Sequence, residues 1–399
     1  MNKNQQLTTM NYIAILSVFL FSGAGTFMNA ALQTMIEAWP QLSASSVRMV
    51  VSLPPLISLP VMLLIGVVVG KKISYRMSAI LGTLLIAVGG VAPYFLYSSW
   101  PLILFFRALL GVGAGFLGMR NALIVREVPK EKQASFIGYG SMVMNVGAFV
   151  ANPIVGILAK YSWRHPFLFD AIAFIPVIIM LLFLREPEAE EAPAEEVKQA
   201  EAVPAEKGSF TWRLIYYAIM QLLTTAVLYP MLSGLATYVS VKGIADSVVA
   251  GTMLSAYSIA GVVANMFIGQ IMNTTKKMTI GLMCALAAIG QAIVLFVPTV
   301  PTLFIGVICA GAAFNIMISV FQVYNGRVAH PSIMSLSSTI ILAMLQLGIF
   351  ASNFFIVACH AIFQRGTDIE SSYWGCMIAY IAMAVFAFIV HVAPEEDYQ

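Results

Sequence analysis

Two arginines, Arg107 and Arg120, lie inside one long apolar run, and few other side chains of this 399-residue chain could carry charge away from water. Glu37, Asp170 and His360 complete the set, each near an end of an apolar run. An ionisable group in an apolar medium is costly and is read first as functional. These residue types suit two chemistries. An arginine can attract an anionic group or modulate a proton site, and a carboxylate whose pKa is moved by burial can bind and release a proton at working pH. Glu37, Arg107 and Asp170 are therefore the candidates for a proton-coupling site. Each has a plainer reading. Arg107 could donate to backbone carbonyls, Arg120 could reach toward the nearer surface or pair between helices, Glu37 could be a solvated helix end, and Asp170 could answer Arg164. No acid stands obviously at midplane. His360 titrates in a useful range, although an interfacial histidine needs no such role.

Amides and hydroxyls are more plentiful and fall in stripes. Asn29, Gln33 and Glu37 recur every four residues, and Ser141, Asn145 and Asn152 share one helical face. In the second half, Asn315, Ser319 and Gln322 form another stripe, Thr339, Gln346 and Asn353 recur every seventh residue, and so do Ser258 and Asn265. On an ideal helix the step from Arg107 to Asn121 leaves the two within ~40° of each other, whereas Arg120 points ~140° away from Arg107. A polar stripe facing lipid would leave donors unsatisfied, so each should face protein or water. Hydrogen bonding between helices accounts for any single amide; stripes from both halves point to a shared polar cavity. Phe27, Tyr229, Tyr257 and Tyr324 could supply its apolar wall. The substrate-binding candidates are Asn29, Gln33, Arg107, Asn121, Asn145, Tyr229, Tyr257, Asn315, Gln322 and Gln346.

These groups must be positioned by helices in a bilayer. The chain is 60% hydrophobic and 10% charged, with a mean hydropathy of +0.89, against ~45–50% apolar and ~25% charged in soluble domains. It contains twelve long apolar stretches, at 12–37, 45–70, 75–98, 101–125, 134–158, 166–185, 211–239, 246–271, 278–298, 301–326, 332–361 and 372–393. A spanning helix needs ~20 such residues, so the expected fold is an all-α membrane protein of twelve transmembrane helices. With the N-terminus in the cytoplasm, fourteen Lys and Arg fall inside and five outside, which satisfies the positive-inside rule. Both termini are then cytoplasmic. The net charge of +3 is scattered, unlike a nucleic-acid footprint. Cys284, Cys309, Cys359 and Cys376 sit in apolar runs as small hydrophobes, so no disulfide, metal site or cofactor is expected, and nothing resembles a cleaved leader.

Between the sixth and seventh stretches, residues 186–209 carry three prolines and eight acidic residues with no hydrophobic period, the composition of a solvated tether. It divides the chain into 1–185 and 210–399, which repeat each other at an offset of about 200: Gly66 with Gly269, Pro101 and Gly111 with Pro301 and Gly311, and Gly147–Asn152 with Gly348–Asn353. Duplicated six-helix halves are a transporter architecture with the substrate held where the halves meet.

The motifs resemble those of the major facilitator superfamily over essentially the whole chain. R-A-L-L-G-V-G-A-G, Arg107–Gly115, closely matches the family's R-x-x-x-G-x-G-x-G pattern. G-A-F-V-A-N-P-I-V-G, Gly147–Gly156, is similar to the motif of the family's exporters, in which glycines and a proline, here Pro153, bend the helix beside the interface of the halves; Asn152 replaces the usual glycine. S-W-R-H-P-F, Ser162–Phe167, resembles the external entry into the sixth helix. The loop after the second helix departs from G-x-x-x-D-R-x-G-R-R: it reads G-V-V-V-G-K-K-I-S-Y-R from Gly66 to Arg76, with Gly70 in the aspartate's place. In the family this loop latches the inner face through charge pairs, so Lys71, Lys72 and Arg76 need another partner, with Glu127 the nearest candidate. The resemblance implies two pseudo-symmetric bundles, a monomer in a bacterial cell membrane, and alternating access around a central site. It implies no enzyme activity. The expected function is proton-coupled efflux of a small organic compound. Uptake or exchange of a small organic anion is the alternative, followed by a lipid-linked substrate and by a receptor or scaffold without flux.

Overall fold

The structure is a computed structural model that describes residues 3–70, 72–186, 211–364 and 366–390. The acidic segment proposed as a tether lies outside the described residues except at its first member, Glu186, and so do Lys71 and the acidic C-terminus.

Among the described residues eleven helices are long and apolar enough to cross a membrane, and a bent pair makes a twelfth span. The bent pair is α1: Thr9–Leu20 and Ala24–Ala38 meet at 48°, and the second limb opens as a 3-10 stretch, Ala24–Ala31. The sequence alone predicted one continuous span from 12 to 37. Ser22 and Gly23 interrupt the apolar run there, where a Gly/Ser pair is a usual site for a kink. The remaining spans are α2 (Ala44–Val68), α3 (Tyr75–Phe95), α4 (Trp100–Phe116, continued through a 3-10 turn at Leu117–Met119 into Arg120–Glu127), and α5 (Lys130–Tyr161). Then come α6 (3-10 His165–Ala173, then Phe174–Phe183), α7 (Trp212–Val241), α8 (Ser247–Met266), α9 (Thr279–Phe296), α10 (Val300–Val328), α11 (Pro331–Phe363) and α12 (Asp368–Ile389). A short helix, Ile268–Thr275, carries Gly269 between α8 and α9.

Glycines set the closest helix contacts and repeat between the halves. A Cβ on Gly89 would meet the Phe106 carbonyl and Leu110 nitrogen, so α3 lies flush on α4; a Cβ on Gly290 would meet the Gly306 carbonyl and Ala310 nitrogen, so α9 lies on α10 the same way. Small residues that let backbones approach are how helices associate where lipid supplies no hydrophobic drive.

The two halves meet along two seams, α5 against α8 and α2 against α11. Below, the linker face is the side where α6 ends and α7 begins, and the far face is the opposite one.

Candidate functional site

The deepest charge is an ion pair. Arg107 Nη1 lies 3.5 Å from Asp170 Oδ2, and both side chains are fully buried. The remaining contacts of Arg107 follow from chain chemistry. In α2 the Val50 carbonyl would accept from residue 54, but Pro54 has no N–H; Arg107 Nε donates to that carbonyl at 2.8 Å instead. Arg107 Nη2 donates to the Gly25 carbonyl at 2.8 Å, just beyond the break in α1. Gly90 of α3 leaves the space that the Asp170 side chain occupies.

Two sequence expectations are corrected here. Asp170 does not answer Arg164, whose guanidinium lies 4.1 Å from the centre of the Tyr97 ring. A buried acid does exist: the 3-10 winding of His165–Ala173 advances the chain ~2 Å per residue, which carries Asp170 further in than an entry loop would. Arg107 itself is directed into the first six helices rather than displayed to a cavity.

From this pair a polar path crosses to the second half. Asn29, four residues beyond the Gly25 carbonyl that Arg107 holds, donates from Nδ2 to the Tyr229 hydroxyl of α7 at 3.3 Å. Tyr257 of α8 lies against Gly311 of α10, where a Cβ would meet its ring, and Asn315 one turn on donates to the Gly311 carbonyl at 2.9 Å. Asn29 Oδ1 and Asp170 Oδ1 are buried with no hydrogen-bond partner. Of the sequence candidates, Asn29 and Tyr229 thus join the halves beyond the Arg107 contact with Gly25, and Tyr257 and Asn315 meet at Gly311 between α8 and α10.

Toward the far face the seams are polar and tight. In α2 and α11, Gln346 Nε2 donates to Ser58 Oγ at 3.2 Å, Asn353 Nδ2 donates to Ser52 Oγ at 2.6 Å, and Arg48 forks onto Asp368 at 2.6 and 3.2 Å. In α5 and α8, Ser255 Oγ donates to the Phe149 carbonyl at 2.6 Å and Ser247 Oγ to the Gly156 carbonyl at 2.9 Å, while Lys160 meets Asp246 at 3.3 Å. A Cβ on Gly156 would strike Ser247, and one on Gly251 would strike Asn152 beside Pro153, so this seam closes only because both residues are glycine. Gly147 instead faces the Leu20 carbonyl of α1. Arg48 read in the sequence only as an external positive charge; its signal was a cation in the first turn of an apolar run.

Those contacts lie at midspan or beyond it toward the far face. The hydrogen bonds and ion pairs that join the halves among the described residues thus tie them together from midspan to the far face.

Other candidates are not brought to the path. Asn121 is exposed near the linker end of α4, because the 3-10 turn at Leu117–Met119 shifts the helical phase on which its alignment with Arg107 depended. Asn145 donates to Ser141 of its own helix at 2.9 Å, and Gln322 reaches the Ser338 carbonyl of α11 at 3.5 Å. Gln33 donates to Glu37 at 2.8 Å, and Glu37 is exposed. The expected pairing of Glu127 with Lys71 falls outside the described residues, and no ion pair joins Glu127 to Lys72 or Arg76; Glu127 accepts from Asn11 of α1 at 2.8 Å. Arg76 donates instead to the Leu181 carbonyl at 2.8 Å, and the backbone nitrogens of Tyr75 and Arg76 donate to Glu186 at 3.0 and 3.2 Å. Gly70 takes φ +83°, a backbone the family's aspartate would adopt at a cost, and Lys72 is exposed.

The Major Facilitator Superfamily family model matches residues 13–353. The chain belongs to that superfamily. As a member of the Major Facilitator Superfamily it is a transporter, not an enzyme. It is similar to the multidrug resistance protein MdtG of Proteus mirabilis (34% identical over 120 residues, 29% of this chain and 28% of that protein). It is also similar to the hexuronate transporter of Bacillus subtilis (32% over 121 residues, 30% and 27%) and to the multi-drug resistance efflux pump PmrA of Streptococcus pneumoniae (32% over 143 residues, 35% and 33%). The matches span about a third of these relatives or less. Among solved superfamily structures, the D-xylose-proton symporter superposes with a TM-score of 0.75 at 16% identity, over 99% of both chains. The inward open xylose transporter XylE of E. coli gives 0.72 at 16% identity, over 96% of both. At these identities the likeness shows the fold.

Proposed function

We propose that this superfamily member exports a small amphipathic organic compound across a bacterial cytoplasmic membrane in exchange for protons, working as a monomer. The linker face is the cytoplasmic one in this reading, on the strength of the positive charges gathered there. Two six-helix units, 1–185 and 210–399, rock about the α2–α11 and α5–α8 seams.

The observation that carries the coupling is the Arg107–Asp170 pair and its link to the seam. A proton entering from the far face binds Asp170 Oδ1, which has no other partner. Neutralising the carboxylate releases Arg107 from its counter-charge, and Arg107 also holds the Gly25 carbonyl of α1, four residues before Asn29, which meets Tyr229 across the halves. Proton binding in one half thereby biases contact with the other, which is what coupling requires: a ligand shifts a conformational equilibrium only by its differential affinity for the two states. Glu37, exposed and bound to Gln33, is the second-ranked proton site.

The names of the relatives support export of drug-like compounds, and one of them supports a second reading, movement of a small organic anion. The test is flux of chemically distinct solutes by the purified chain in vesicles with and without an imposed pH gradient. Asp170→Asn should keep downhill exchange but lose gradient-driven accumulation. Gradient-driven accumulation by Asp170→Asn at the wild-type rate would remove Asp170 from the coupling.

A further inference from the structure

Arg120 of α4 is a cation toward the linker end of its helix, without a counter-ion among the described residues. Thirteen residues separate it from Arg107, ~20 Å along the helix, and seven separate it from the helix end at Glu127, ~10 Å. Its hydrogen bond is to its own helix, Nη1 to the Leu117 carbonyl at 3.4 Å, and its Nε is buried without an acceptor. Among the described residues no carboxylate lies within ion-pair distance. The nearest acid along the helix, Glu127, is engaged by Asn11.

The site around it is shaped. The guanidinium lies over the Phe19 ring, 5.5 Å from its centre, and that ring is itself seated against Gly140 of α5, where a Cβ would come within 2.6 Å of it. The glycine lets Phe19 sit back as a floor under the charge. Arg120 is partly exposed, and an ionised side chain inside a spanning helix is read first as functional.

We propose that Arg120 is the recognition point for an anionic group, a carboxylate above all, on the transported compound. A planar fork of N–H donors matches a carboxylate, and the buried Phe19 ring supports the cation from behind. Placed toward the linker end of α4 and separated from the coupling pair by ~20 Å, the charge meets a solute arriving from the linker face before it reaches the seam. The inference rests on the transport reading above and narrows its substrate to organic acids.

The test is equilibrium binding to the full chain in lipid nanodiscs, with benzoate and glucuronate as probes and their neutral counterparts, methyl benzoate and glucose, as competitors. At least one anion should bind the wild-type protein, and its neutral counterpart should fail to displace it. Arg120→Gln should weaken that binding by about tenfold or more, and Arg120→Lys should fall between, keeping the charge and losing the fork. The lysine variant preserves the test should the glutamine variant not fold. Failure of both anions to bind the wild-type protein at millimolar concentration, or unchanged affinity in either variant, overturns the proposal. Gradient-driven flux by the wild-type protein is measured separately; its absence removes the export reading and leaves the binding result intact.

Discussion

Gly90 and Asp170 occupy complementary space: the aspartate side chain fills the position that a Cβ on Gly90 would take. A helix of the outer layer is thus cut away so that an acid can reach Arg107 in the middle of six helices. An ion pair with such limited polar company is held by geometry, because the desolvation cost of each charge is offset only while its partners stay in place.

Gly90→Ala should push Asp170 out of register with Arg107. Overpacking of this kind costs about 1–3 kcal/mol, seen as a lower melting temperature in detergent, and gradient-driven flux should fall with it. An alanine variant with unchanged melting temperature and flux would show that the pair tolerates displacement.

Removing one partner should be worse than removing both. Asp170→Asn leaves Arg107 buried against two carbonyls without its counter-charge, a loss on the order of 3–5 kcal/mol. The double variant Arg107→Met, Asp170→Asn should be more stable than either single variant, the non-additivity expected of contacting groups. Additive melting shifts would place the two side chains in separate environments.

Closure of the far face should depend on the absence of a side chain at Gly251. Gly251→Leu would drive a side chain into the Asn152 backbone, so spin labels at Tyr161 and Ser240 on the far ends of α5 and α7 should report a longer distance. Asp368→Asn, which removes the fork on Arg48, should lengthen it less, because the α5–α8 seam remains. Unchanged distances in both variants would assign closure to other contacts.

The rim contact between Lys160 and Asp246 should respond to pH. The backbone N–H of Val249 is the largest influence holding the Asp246 carboxyl below its ordinary range, with Lys160 adding to it. A depressed carboxyl contributes stability that is present above its unperturbed pKa and is lost as pH falls through the lowered one. Far-face closure in the wild type should therefore weaken at the acidic end of the carboxylate range, with a small effect because both side chains are largely exposed. Asp246→Asn should remove the difference, measured with the same spin-label pair.

Sequence by itself determined the twelve spans, the transporter class and the family, because the bilayer demands a run of apolar residues for every crossing and the Arg107–Gly115 motif lies within one run. It also named Asn29, Tyr229, Tyr257 and Asn315, since polar groups at membrane depth are few and must meet protein or water. It did not decide which groups meet. The partner of Arg107 is 63 residues away, and its depth depended on a 3-10 winding that hydropathy does not register. The carbonyl that Arg107 takes was free because of Pro54, a residue whose role appears only once α4 crosses α2 there. Gln346 and Asn353 were legible as a stripe, while Ser58 and Ser52 opposite them were two hydroxyls among many. Arg120 looked like a side chain that would reach the surface or pair with a neighbouring helix; the packing of Asn11 on Glu127 takes up the nearest acid along its own helix. Periodicity reports which way a residue points from its own helix, and only the packing of helices distant in sequence decides what it meets.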